Sequence, residues 1–311
     1  MARQAGVRYA LTKPTAPLSG LGEPDQPGVL ESIRDRFTDA GITLLGLEGD
    51  PFDMSRIKLG QPGREADLDR YTRLLENMAG CGLHTLCYNF MARLPGQLHD
   101  WSRTKIDYPT RGGALATAFK LADLPREDRS PGMLSAESLW QHYTTFIQHV
   151  MPVAERVGVR MAIHPDDPPI PTLNGCPRIF GRVEAFERGY QLAPSPSNGV
   201  TFCQANFSLM PGDVATHART MADRIAFVHW RNVIGAADDF YETFHDEGDL
   251  DMAEMIRIYA ELSFDGPIRM DHAPLMHGEP EPWMPGYGIN GRLLGIVYLR
   301  GLLRGMRIEE T

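Results

Sequence analysis

The sequence predicts an α/β chain folded as a TIM-type (β/α) barrel, and three observations predict it. A helix–glycine–apolar strand unit recurs along the chain, no glycine-rich phosphate loop follows the first strand, and ligand-competent side chains stand at successive strand ends. With 311 residues, 42% of them hydrophobic, the chain can bury a large core, read here as a single domain over residues 1–311.

The elements follow in order. Val7–Leu11 is a first short apolar run. In VLESIRDRFTDAGITLLGLE (29–48), Leu30, Ile33 and Phe37 fall at helical spacing, Gly41 follows, and an apolar run reaches Glu48. ADLDRYTRLLENMAGCGLHTLCYNF (66–90) repeats the plan, with Leu68, Tyr71, Leu75 and Met78 on one face, then Gly82, then a run to Asn89. The third copy spans 135–165: Ser135 is the N-cap, Leu139, Tyr143, Phe146, Val150 and Val153 form the face, and Gly158 precedes a strand to His164. Glycine just past a helix permits the left-handed residue that closes it. Val200–Cys203, Ile225–Trp230 and Ile268–Asp271 bring the strand count to seven. Near-continuous apolar strands after helices imply a parallel sheet covered on its faces. Neither GLEGDP nor TRGGAL has the spacing of a dinucleotide or phosphate loop, so the open doubly wound sheet loses its main support.

The strand ends decide the matter. They read Glu48, Asn89, His164, Cys203, His229 and Asp271-His272. In a barrel the carboxyl ends of all strands open onto one face, which carries the active site. Two imidazoles (His164, His229), a thiolate (Cys203) and a carboxylate (Asp271) make a ligand set for a divalent cation. Taken singly, each has an ordinary structural role, such as a buried thiol or a helix cap. Their coincidence at four successive strand ends is what points to a metal. His84 begins its strand and belongs to the opposite face. Asp166 and Asp167, in a proline-stiffened loop behind His164, read as solvated charges.

Bulk properties exclude other classes. No run approaches the roughly 20 apolar residues that span a bilayer, and MARQAGVRYALTKP has no apolar signal core, so a cytoplasmic chain is expected. Cys81, Cys87, Cys176 and Cys203 form no CxxC pair, so reduced thiols are expected. A net charge of −9 argues against a nucleic-acid surface.

The segments CGLHTLCYNFM (81–91), VRMAIHPDDPP (159–169), FYETFHDEGDLDM (240–252), RMDHAP (269–274) and PGYGINGR (285–292) resemble those of the mannonate dehydratases. These are metal-dependent (β/α)-barrel lyases of hexuronate breakdown. The resemblance implies a manganese-type site at His164, Cys203, His229 and Asp271, with acid–base roles for His272 and Tyr287. It also implies dehydration of D-mannonate to 2-keto-3-deoxy-D-gluconate. Ligand softness alone suits Fe²⁺, Co²⁺ or Zn²⁺ as well as Mn²⁺. Arg231 is a candidate clamp for the substrate carboxylate or a surface ion pair, and Asn89 and His245 are candidates to bind its hydroxyls, orient ligands or serve a purely structural role.

Departures from the family pattern cluster near the substrate. Ala273-Pro274 follows the Asp-His pair where Gly-His is usual, and QANFS follows Cys203. The stretch after CYNFM is shortened to residues 92–133, with Trp101, Pro109 and Gly112-Gly113, and fits either a lid or a passive loop. Eight strands close the usual barrel, so a count of seven means an absent first strand beside the site or a missing upstream segment. Exposed edges there invite a homo-oligomer. Two other readings remain at this level: an isomerase or epimerase of the xylose-isomerase type, disfavoured by a cysteine ligand, and a catalytically silent relative.

Overall fold

The structure, a computed structural model, describes residues 1–13, 19–94, 103–125, 134–280, 282 and 284–309. Strands are numbered along the chain. Seven of them, all parallel, form the centre: β1 (Tyr9–Thr12), β2 (Thr43–Glu48), β3 (Thr85–Tyr88), β6 (Arg160–Ile163), β9 (Asn198–Cys203), β10 (Ile225–Trp230) and β13 (Ile268–Met270). They pair in that order, and among the described residues β13 and β1 do not pair, so the barrel is nearly closed with one seam. A cavity of about 510 Å³ lies at that seam, with Thr12 and Lys13 on one side and Arg269, Tyr287 and Arg292 on the other.

Local chemistry explains the repeated unit. The helix Val29–Asp39 buries Leu30 and Ile33, and the chain turns at Gly41 with φ 69° before β2. The helix Arg64–Gly80 buries Leu68, Tyr71, Leu75 and Met78 and leads through Gly82, φ 73°, into β3. Ser135 caps the helix Ala136–Val157 by accepting from the Ser138 amide, and Gly158 closes it at φ 72°. The first strand starts two residues later than its apolar run, because Ala2–Ala5 forms a 3₁₀ turn that Gly6 ends at φ 89°. Strands β9 and β10 are buried at every residue, as expected for a sheet wrapped by helices.

Register then determines what meets inside. Cys203 lies opposite His229, and His229 lies opposite Arg269, so one row crosses β9, β10 and β13. Glu48 lies opposite Cys87, and Cys87 opposite Ala162, giving a second row across β2, β3 and β6. Side chains two residues apart on a strand share a face, so His164 follows Ala162 into the barrel and Asp271 follows Arg269.

A second sheet, absent from the sequence reading, stands over this face. Strands β4 (Lys105–Pro109) and β5 (Leu115–Lys120) form a hairpin that pairs antiparallel with β12 (Asp239–Glu242) and β11 (Val233–Ala236). A short hairpin of β7 (Thr172–Leu173) and β8 (Cys176–Pro177) follows β6. Of the segment 92–133, residues 95–102, including Trp101, and 126–133 lie outside the described residues. No helix among the described residues is long and apolar enough to cross a membrane.

Candidate metal centre and active site

His164, Cys203 and His229 bring one ligand atom each within 4.8 Å of one another. His164 Nε2 is 3.2 Å from His229 Nδ1, and Asp271 Oδ2 is 3.6 Å from the same Nδ1. Donors about 2.0–2.3 Å from a tetrahedral ion stand roughly 3.3–3.7 Å apart, close to these two spacings, although Asp271 lies outside the group whose ligand atoms are all within 4.8 Å of one another. On its other side, His229 Nε2 faces Arg269 Nη2 at 3.1 Å and Glu48 Oε2 at 3.8 Å. Arg269 Nη2 also donates to Glu48 Oε1 and Asp271 Oδ1, both at 2.9 Å. Glu48, Cys87 and His229 form a second group with ligand atoms within 4.8 Å.

Two carboxylates, Glu48 and Asp271, share one guanidinium, Arg269, with Arg292 and Lys13 lining the same cavity. Burial opposes ionisation of Asp271, but His272, His229 and Arg269 outweigh it and hold its carboxyl far below the usual range. Burial and the neighbouring His229 lower His164 to about 4, so the imidazole is neutral and its lone pair is available at pH 7. Burial pushes the Cys203 thiol up to about 12, with Arg231 pulling the other way, and the thiol donates to Asn206 Oδ1 at 2.9 Å. A bound divalent cation would displace that proton.

The remaining site residues flank this cluster. Tyr287 Oη donates to Asp271 Oδ1 at 3.2 Å, and burial together with Asp271 holds its phenol well above the usual value. The Tyr287 and His272 rings meet edge to face, centroids 5.0 Å apart. His272 Nδ1 lies 2.9 Å from Glu242 Oε1. Glu242 stands at the end of β12, completely buried, and receives Arg231 Nε at 2.8 Å, Arg231 Nη2 at 2.6 Å and Arg103 Nη2 at 2.9 Å. Burial opposes its charge, yet Arg231 and His272 hold it down to about 2. Asp167 takes the second contacts of both arginines, at 2.8 Å from Arg103 and 2.9 Å from Arg231. Two guanidinium groups thus share two carboxylates in a buried, neutral tetrad.

The structure places the remaining candidates as follows. Asp166 and Asp167 are buried, 1% and 5% exposed, instead of solvated. Asp166 accepts from the Phe180 amide at 2.6 Å, and Asp167 joins the tetrad because the loop behind His164 folds back under the second sheet. Arg231, expected to clamp a substrate carboxylate, is fully buried and directs its donors to Glu242, Asp167 and Asn206. Asn89 accepts from Lys58 Nζ at 2.9 Å and from the Met91 amide. His245 Nε2 pairs with the Trp230 carbonyl at 2.9 Å, and its ring packs on Gly295. Arg103 and Glu242 carried no sequence signal for a role here. Arg269 did: it sits two residues before Asp271 and so shares its face of β13.

Fold and site together define a (β/α)-barrel enzyme with a metal-competent cluster beside His272 and Tyr287 at the strand mouths. The family model for D-mannonate dehydratase matches residues 22–132 and 121–310. The chain belongs to the D-mannonate dehydratase family, which is metal-dependent. It is 36% identical over 303 residues to a mannonate dehydratase of Streptococcus agalactiae, covering 88% of this chain and 84% of that relative. A mannonate dehydratase 2 of Halalkalibacterium halodurans is 34% identical, covering 87% and 85%. The crystal structure of a mannonate dehydratase from Streptococcus suis superposes with TM-score 0.81 at 31% identity, over 91% of this chain and 84% of that one. A D-psicose 3-epimerase from Clostridium cellulolyticum, TM-score 0.62 at 14% identity, shares the fold.

Proposed function

We propose that this chain removes water from D-mannonate to give 2-keto-3-deoxy-D-gluconate, with a divalent cation held by His164, Cys203, His229 and Asp271. The convergence of two imidazoles, a thiol and a carboxylate beside His272 and Tyr287 carries this reading, together with membership of the family. Mn²⁺ is the cation we assign, on the family resemblance. When bound, the cation supplies positive charge that acidifies the carbon next to the substrate carboxylate.

The protein's own groups divide the proton transfers. His272 Nδ1 donates to Glu242, which leaves the Nε2 lone pair to take the C2 proton. Tyr287, kept as a phenol by burial and by Asp271, donates to the departing C3 hydroxyl, which leaves as water. The resulting enol tautomerises to the 2-keto acid. Arg231 and Arg103 act through Glu242 and Asp167, fixing the carboxylate that orients His272. Arg269 balances Glu48 and Asp271.

Incubation of Mn²⁺-loaded protein with a panel of aldonic acids tests this. A 2-keto-3-deoxy product from D-mannonate, in preference to its epimers, is the expected result. A change of configuration without loss of water, or no conversion at all, contradicts it.

A further inference from the structure

We propose a separate anion site at the opposite end of the barrel, shaped for a small phosphorylated metabolite. A cavity of about 680 Å³ lies there, lined by Arg3, Arg8, Arg300 and Arg304 with Gly6 and Gly41. It is open to solvent, with Arg3, Arg8 and Arg304 exposed and Arg300 half-buried. Arg3 and Gly6 belong to the turn before β1, Gly41 to the turn before β2, and Arg300 and Arg304 to the last turns of the helix Ile289–Gly305. Arg3, Gly6 and Gly41 stand before the amino ends of β1 and β2, and Arg300 reaches the same turn through the Ala5 carbonyl, so the cavity is on the face remote from His164.

Four guanidinium groups round one cavity are unusual in a chain of net charge −9, and the only carboxylate lining it among the described residues is Glu309. Arg300 and Arg304 are one turn apart on their helix, where like charges repel. Among the described residues, the side chains of Arg3 and Arg304 have no hydrogen-bond or ion-pair partner. Arg300 Nη1 is fixed by the Ala5 carbonyl at 2.9 Å. Two left-handed glycines make the room. A Cβ at Gly41 would come 2.8 Å from Arg3 Nη1, and one at Gly6 would overlap the Arg300 guanidinium. The forked donors of arginine match the oxygens of a phosphate group, and several together select a multiply charged ligand over a monocarboxylate such as mannonate.

Calorimetric titration of the metal-loaded protein with fructose 1,6-bisphosphate, with fructose as the uncharged control, tests the proposal. One site per chain for the bisphosphate and none for fructose is expected. Arg3→Ala/Arg304→Ala weakens binding at least about tenfold while metal content, melting temperature without ligand and mannonate turnover stay unchanged; Arg300 is left intact because it ties down the first turn. The single variant Arg304→Ala gives an intermediate loss. Absence of bisphosphate binding to the native protein, or binding undiminished in both variants, overturns the site. Because turnover is read separately, failure here is distinguishable from failure of the dehydratase reading.

Discussion

Glu242→Gln removes one charge from the buried tetrad while keeping its shape. In the native protein Glu242 accepts two hydrogen bonds from Arg231 and one from Arg103, and pairs with His272 Nδ1, all at 2.6–2.9 Å. The amide leaves two buried guanidinium groups sharing Asp167 alone, an uncompensated positive charge in a buried place. Breaking a buried ion pair from one side costs about 3–5 kcal/mol. With an unfolding entropy of about 2.1 cal/mol/K per residue, a chain of 311 residues loses about 5–8 °C of melting temperature. Turnover falls as well, because loss of a carboxylate that orients a functional imidazole typically costs about 10–100-fold. Differential scanning calorimetry and steady-state kinetics on D-mannonate measure both. A melting temperature within about a degree of native, with unchanged kcat, refutes the claim that Glu242 centres the network and aims His272.

Three further outcomes follow from the same geometry. Tyr287→Phe keeps its metal by elemental analysis but loses about 100- to 10,000-fold in kcat, the usual worth of an acid–base group; unchanged turnover removes Tyr287 from the mechanism. Burial lowers His245 to about 4 from an ordinary value of about 6.5, so the unfolded chain takes the proton more readily. Its contribution to stability is complete above about pH 6.5 and is lost as pH falls toward 4, at up to about 1.4 kcal/mol per pH unit. Denaturant melts at pH 7.5 and 5 show a larger drop in the native protein than in His245→Gln, and equal drops contradict the burial argument. Glu242, held down to about 2, adds a further loss only below about pH 4.5, visible as a steeper acid limb that Glu242→Gln lacks.

What the sequence disclosed was periodicity and punctuation. The seven strands, the helices ended by Gly41, Gly82 and Gly158, and the row of polar strand ends all follow from spacing that side-chain geometry makes visible. The second sheet did not announce itself. Leu115–Lys120 reads as LATAFK, too short and too weakly alternating to signal a strand, and its pairing with Asp239–Glu242 joins residues more than a hundred positions apart. The tetrad was hidden for the same reason. A lone Arg103 in a polar stretch and two aspartates before prolines carry no local sign of burial; only the folding of two distant loops onto each other turns them into a desolvated network. Arg231 shows the converse limit, since a position near a ligand says where a side chain starts and not which carboxylates of the protein it meets.

X-ray absorption at the metal edge of Mn²⁺-loaded protein addresses the ligand set most directly. One sulfur and two imidazoles about a single ion per chain are expected, with the sulfur missing from Cys203→Ser and the ion lost from His164→Ala. A shell of oxygens alone, or full occupancy in both variants, contradicts the metal centre on which the dehydration chemistry depends.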